Sequence, residues 1–438
     1  MAVPYRFSLF RFLLCSVLTL PSLASAHDLE IHGSNTVGAT LAPSLVQGYL
    51  EQLTNGKVAR QSTSRENEQI LVARQQGKKL SVRVAAHGSS TGFRTLAVDQ
   101  ADIWASSRPA RASEVQQVSH IADLTGLSSE HVIAIDGLAI LVHQSNPISQ
   151  MSIETLRKVF SGQIRNWSEI GGSNNPIRLY ARDDRSGTWD TFKTLVLDKT
   201  APLHDSALRY ESNDQLSDDV SRDPYSIGFA GLASVRNSKL LAISDGDAPA
   251  LKPNQLTVAS EDYPLSRRLF MYTLGEQAPD LAKGLIEYAL SAEGQGRVAA
   301  SGFISQNPIA VKPELDDSVP ETFKRLTQSY QRLTVNFRFS EGRTKLDNKA
   351  HRDLLRVKHY LQQHKRSADD LLLIGFADAQ SDELRAQMIS ELRALSVRRA
   401  LNHAGVPYVS YTGYGHYMPV GGSGNQRNGR VEVWIKSR

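Results

Sequence analysis

Four short segments concentrate hydroxyls, glycines and arginines in patterns that suit an anion. They are Gly33-Ser34-Asn35-Thr36, His87-Gly88-Ser89-Ser90-Thr91-Gly92, Ala105-Ser106-Ser107-Arg108, and Arg182-Asp183-Asp184-Arg185-Ser186-Gly187-Thr188. Hydroxyls donate hydrogen bonds without bulk, and glycine lets the backbone approach a ligand closely. An arginine adds a planar fork that matches an oxyanion. Any of these loops that opens a helix adds free N–H groups and about half a positive charge. Taken singly, a Ser or Thr before a helix is most often just an N-cap. Catalytic patterns are missing. The sequence holds no metal-ligand cluster, no cofactor motif and no histidine in a nucleophile–base pattern. His32 and His87 lie beside the loops and read as structural.

The elements that must position these loops are α/β. Leu29-Glu30-Ile31 reads as a strand and residues 37–53 as a helix. Val82-Arg83-Val84-Ala85 and residues 133–143 read as strands, and residues 151–160 and 189–197 as helices. This alternation predicts a largely parallel sheet. Residues 311–330 are polar and proline-bearing and read as a linker. A second pattern follows, with strands at 333–339, 371–375 and 431–435 and helices at 349–363 and 391–403. The domain expectation is therefore a first unit over 27–310, a linker over 311–330 and a second unit over 331–438.

Residues 1–26 read as a cleaved signal peptide. Arg6 and Arg11 precede and interrupt an apolar run from Phe12 to Leu20, and Pro21 and the small residues Ala24-Ser25-Ala26 follow it. The run is shorter than the ~20 residues a bilayer span needs. The single cysteine, Cys15, lies inside this segment, so the mature chain has no thiol for a disulfide or a metal. The formal net charge is +5. Eighteen Lys/Arg against ten Asp/Glu give 331–438 a charge of +8, while 27–330 carries −5. This asymmetry predicts different partners for the two units. Export to the periplasm argues against nucleic acid and for an anionic envelope polymer.

The run Phe160-Ser161-Gly162-Gln163-Ile164-Arg165-Asn166-Trp167, the Arg182 and Ser186-Gly187-Thr188 group, Asp136-Gly137-Leu138, Ile227-Gly228-Phe229 and Gly302-Phe303 occur in order over 27–310. Together they resemble the phosphate-binding periplasmic receptors of ABC transporters. The resemblance implies a two-lobed periplasmic binding protein of type II that closes around one anion. It implies as ligands Ser34, Asn35 and Thr36, then Ser89 and Ser90, then Ser107, and finally Arg182, Ser186, Gly187 and Thr188. Arg108 joins them as a further cationic donor. In that family an aspartate stands where this chain has Ser107 and accepts the proton of hydrogen phosphate. Asp136, Asp183 and Asp184 are the candidate replacements here.

The second unit resembles the OmpA-like peptidoglycan-binding domain, a smaller α+β fold. The matching pieces are Gly375-Phe376-Ala377-Asp378, Leu395-Ser396-Val397-Arg398-Arg399-Ala400, Gly413-Tyr414-Gly415 and Asn428-Gly429-Arg430-Val431-Glu432. The resemblance implies that Asp378 and Arg399 hold the charged ends of diaminopimelate. Phe376-Ala377 replaces the family's His-Thr, and Gly429 replaces an arginine. The combined expectation is a periplasmic, non-enzymatic receptor for phosphate or a similar oxyanion, attached to peptidoglycan. It needs no cofactor or metal, and an ABC-transporter permease is a further candidate partner. The alternatives are an adhesive envelope protein with a degenerate anion site and, behind it, a phosphohydrolase.

Overall fold

A computed structural model describes residues 27–65, 67–184, 186–198, 201–315, 317, 319–339, 346–378 and 382–438. The expected signal peptide and Arg185 of the fourth loop lie outside them.

The first unit is organised around one long strand, Glu130–Val142, whose residues from His131 onward are all buried. Its first half pairs antiparallel with Ser266–Tyr272, and its second half pairs antiparallel with Ser226–Gly231. One strand thus serves two lobes. In the first lobe Leu29–Gly33 lies parallel between Lys78–Ala86 and Ile103–Ser106. In the second lobe Arg178–Arg182 lies parallel between Ser226–Gly231 and Leu208–Tyr210. The sheets are parallel at their centres and antiparallel where they meet the shared strand. The first-lobe core includes Leu29, Ile31, Leu45, Ile103 and Met271. In the second lobe Phe160, Phe192 and Phe229 pack ring against ring. Parallel strands covered on both faces bury nearly every side chain, which is why Ile103–Ser106 is buried throughout.

The second unit is a five-stranded sheet with helices Asn348–Gln363 and Glu383–His403 on one face. Side chains alternate across a strand, so Leu371 and Leu373 face those helices while Leu372 and Ile374 face away. The other face is covered from within 311–330. Helix Glu321–Thr327 sets fully buried Phe323 against Phe376 and Trp434. Ala310–Val311 pairs with Leu333 and Arg332. The stretch read as a linker is therefore packed into the second unit at both ends.

The two units are joined by buried charge. Asp262 is 2% exposed; its Oδ2 accepts from Arg332 at 2.6 Å, and its Oδ1 accepts from Arg338 at 2.8 Å and Asn336 at 2.9 Å. Glu432 pairs with Arg430 at 2.8 Å and lies 3.4 Å from Arg332. Burial disfavours the Asp262 charge, but Arg332, Arg430 and Arg338 outweigh it and hold this carboxyl below the ordinary carboxylate range. Further contacts are Arg268 with Asp347, Arg352 with His131, Arg356 with Gln306, and Arg427 with Asp245. Arg332, Arg338 and Arg427 of the basic unit thus meet Asp262 and Asp245 of the acidic one at this internal contact.

Candidate functional site

The first loop leaves the sheet at Gly33, which has φ +147°; a Cβ there would stand 1.9 Å from the Ala105 carbonyl oxygen. Only glycine lets the loop cross the neighbouring strand so closely. Ser34 donates its N–H to that oxygen at 2.8 Å, and its buried Oγ has no hydrogen-bond partner among the described residues. After Thr36 the chain winds through a single π-helical turn, Val37–Leu41, into helix Ala42–Thr54. Such turns are rare and recur at functional sites.

The fourth loop approaches from the second lobe. Arg182 ends its strand, and Ser186 caps helix Gly187–Leu195 by accepting from the Trp189 N–H at 3.3 Å. A Cβ on Gly187 would stand 2.0 Å from Thr36 Oγ1 and 3.3 Å from Ser34 Oγ. The missing side chain is what allows the two loops to touch. A cavity of about 450 Å³ opens there, lined by Asn35, Thr36, Asp136, Arg182, Ser186, Gly187 and Thr188 among others. The guanidinium of Arg182 donates to the Tyr210 and Glu211 carbonyls, with Asp183 at 3.7 Å. Burial lowers its pKa and Asp183 opposes that. The cavity therefore combines hydroxyls, a helix N-terminus and one largely desolvated cation, a set suited to an oxyanion.

The second and third loops face a neighbouring cavity of about 610 Å³, lined by Ser90, Ser107, Arg108, Asp190 and Arg267 among others. Ser89 and Ser107 are buried together, Oγ to Oγ at 3.3 Å. Arg108 does not offer a free cation. Its two terminal nitrogens donate to Glu114 at 2.8 and 2.7 Å, because the following helix brings that carboxylate underneath. His32 and His87 are held by Glu30 and Glu68, at 3.0 and 2.9 Å.

The residue that links the two cavities is Arg267, which the sequence reading passed over. It is 8% exposed and donates to Asp136 Oδ2 at 2.6 and 2.9 Å, to the Gly187 carbonyl at 2.6 Å, to Thr36 Oγ1 at 3.3 Å and to Thr191 Oγ1. One guanidinium therefore ties the shared strand to both facing loops. Its one signal in the sequence is an arginine pair, Arg267-Arg268, inside an otherwise apolar strand pattern.

In the second unit, Asp378 follows its strand as expected, but Arg399 is exposed and Arg393 stands beside the aspartate. Six residues along a helix leave two side chains about 120° apart around the axis, so only one of the two arginines faces the sheet squarely. Arg393 lies 3.8 Å from Asp378 and donates to the Phe376 carbonyl at 3.0 Å. Gly429 makes room for it; a Cβ there would stand 2.6 Å from a guanidinium nitrogen. Burial raises the Asp378 pKa and Arg393 opposes that. Oδ1 of Asp378 is buried with no hydrogen bond among the described residues. The spacing Ile389-Ser390-x-x-Arg393-Ala394 repeats the pattern read six residues later and was the available signal.

Comparison with known proteins gives two families. Residues 60–293 match the PBP superfamily domain, and residues 338–429 match the OmpA family. The chain is 28% identical over 244 residues to the phosphate-binding protein PstS of Borreliella burgdorferi, covering 54% of this chain and 84% of that relative. It is 30% identical to the PstS of Bacillus subtilis, covering 51% of this chain and 70% of that one. Among solved structures, an ABC-type phosphate transport receptor from Vibrio cholerae aligns with a TM-score of 0.50 at 25% identity, over 63% of this chain and 99% of the other.

Proposed function

Because the chain belongs to the PBP superfamily, with a PstS-like domain followed by an OmpA-family domain, we propose that it is a phosphate receptor held at the cell wall. The relatives it matches are named as binding proteins, and no catalytic constellation is part of this reading. The ligand is inorganic phosphate or a close oxyanion, bound between the lobes by Thr36, Arg182, Ser186, Gly187 and Thr188, with Ser34 and Asn35 beside them and Ser89, Ser90 and Ser107 on the adjoining cavity. The observation that carries this is the convergence of two loops about 150 residues apart on one cavity, with a desolvated arginine and no bulk at Gly187. Asp378 and Arg393 hold peptidoglycan by the charged ends of its peptide, an anion for the amine and a cation for the carboxylate. Residues 1–26 act as a signal peptide and deliver the chain to the periplasm; no helix among the described residues is long and apolar enough to cross a membrane.

Equilibrium dialysis of the full mature chain against radiolabelled phosphate tests the reading. Arg182→Ala should lose about 2–5 kcal/mol of binding, as expected for a desolvated charged donor. Near-unchanged affinity in a folded Arg182→Ala protein would remove the site from this cavity.

A further inference from the structure

Ser107 cannot do what an aspartate does at that position. A hydroxyl can donate to any oxyanion, so it does not distinguish an anion that carries a proton from one that does not. Its side chain lies against Ser89, on the neighbouring cavity. A receptor that separates phosphate from sulfate needs a group that only accepts.

We propose that Asp136 is this acceptor and sets the selectivity of the cleft for protonated oxyanions. The inference rests on the phosphate-receptor reading above. Asp136 lies in the middle of the strand shared by the two lobes and lines the same cavity as Thr36, Arg182, Ser186 and Gly187. Its two oxygens have different surroundings. Oδ2 accepts both bonds from Arg267, at 2.6 and 2.9 Å. Oδ1 has no hydrogen-bond partner among the described residues and faces Gly231, where even an added Cβ would stay 3.9 Å away. Gly231 lines the cavity too and leaves that oxygen uncovered.

The same Arg267 guanidinium reaches Thr36 Oγ1 at 3.3 Å. The first-loop hydroxyl and the Asp136 carboxylate are therefore fixed to one rigid fork, and an anion held by Thr36 comes within reach of Oδ1. The other candidate acceptors are placed differently. Asp184 has a side chain 87% exposed and pairs with Arg209. Asp183 lines the same cavity but sets its carboxylate against the Arg182 guanidinium, at 3.7 Å. At neutral pH phosphate keeps at least one P–OH, which donates to Oδ1. Sulfate has no proton to offer and would set its lone pairs against those of the carboxylate. Arg267 balances the Asp136 charge, so the acceptor repels the ligand less than an unpaired carboxylate would.

The experiment is competition of sulfate against radiolabelled phosphate on the full mature chain, in the wild type and in Asp136→Asn, Asp183→Asn and Ser107→Asp variants. The wild type should prefer phosphate. Asp136→Asn converts an acceptor-only group into one that can donate, and the phosphate-to-sulfate preference should fall by about ten- to a hundredfold, the worth of one hydrogen bond to a charged group. Asp183→Asn should keep the preference, and Ser107→Asp should not raise it. An Asp136→Asn protein that tightens both anions equally shows a charge effect alone and overturns the proposal, as does one with an unchanged preference. If Asp136→Asn fails to fold by circular dichroism, the other proteins decide. A wild type that takes sulfate as readily as phosphate, or a Ser107→Asp variant that gains selectivity, overturns it. A wild type that binds no phosphate at all instead refutes the receptor reading, and this inference falls with it.

Discussion

Replacing Asp262 with alanine should loosen the second unit from the first. The carboxylate is almost fully buried and is the shared acceptor of Arg332, Arg338 and Asn336, at 2.6 to 2.9 Å. Without it, Arg430 and Arg332 keep Glu432, at 2.8 and 3.4 Å, and Arg338 keeps only the charge of Glu261. Breaking a buried pair by removing one partner costs about 3–5 kcal/mol, because the remaining charges stay desolvated. The lower half of that range applies here, since Glu432 keeps two of the arginines partly balanced. Urea unfolding of the full chain, followed by tryptophan fluorescence, should show the second unit melting at lower urea. Tryptic cleavage between residues 312 and 330 should speed up in parallel. The same carboxyl gives a pH signature. Its pKa lies below the ordinary range in the folded state, so its contribution is present at neutral pH and is lost as pH falls through that lowered value. A cost below about 1 kcal/mol, the worth of an exposed ion pair, would refute the reasoning. It would mean that the units are not joined through this cluster.

Three other outcomes follow from the same geometry. Gly187→Ala should abolish anion binding while leaving the fold intact by circular dichroism, because the new methyl stands 2.0 Å from Thr36 Oγ1; undiminished binding would contradict the loop contact. Asp378→Ala or Arg393→Ala should release the chain from purified peptidoglycan in a pull-down at high and low salt, whereas Arg399→Ala should not; release by Arg399→Ala alone would restore the sequence-level assignment. His131 is pushed down from 6.5 to about 4 by burial and by Arg352, so it folds neutral and stability should fall as pH drops through that window, by about 3 kcal/mol at its lower end. A His131→Gln variant should flatten that part of a stability-against-pH curve, and an equally steep curve would assign the slope to other groups.

How much of this was legible in the sequence depended on range. Strands whose side chains are buried in a regular pattern were placed within a few residues, as at Leu371–Gly375 and Glu130–Val142. The hairpin of Ala59–Ser62 and Glu68–Gln75 was not read, because its first strand is exposed throughout and carries no apolar alternation. Helix Glu383–His403 begins eight residues before the expected start. Leu384, Met388 and Leu392 point to solvent there and blur the amphipathic period that the reading relied on. Arg393 was hidden for another reason: Leu395-Ser396-x-x-Arg399-Ala400 carries the resemblance more fully than Ile389-Ser390-x-x-Arg393-Ala394 and drew the assignment to Arg399. The loops Gly33 to Thr36 and Arg182 to Thr188 were legible because each carries its own chemistry locally. Arg267 was not, because its meaning depends on Asp136, 131 residues away in the chain. The acid–arginine joint between the units was opaque for the same reason. Net charge revealed that the two halves differ in sign, but only the folded arrangement brings Asp262 against Arg332 and Arg338.

The central claim is that the cleft between the lobes binds phosphate. Calorimetric titration of phosphate into the full mature chain at neutral pH tests it most directly. Binding should saturate at one phosphate per chain and be strongly weakened in the Arg182→Ala protein. A folded wild-type chain that shows no saturable phosphate binding would contradict it.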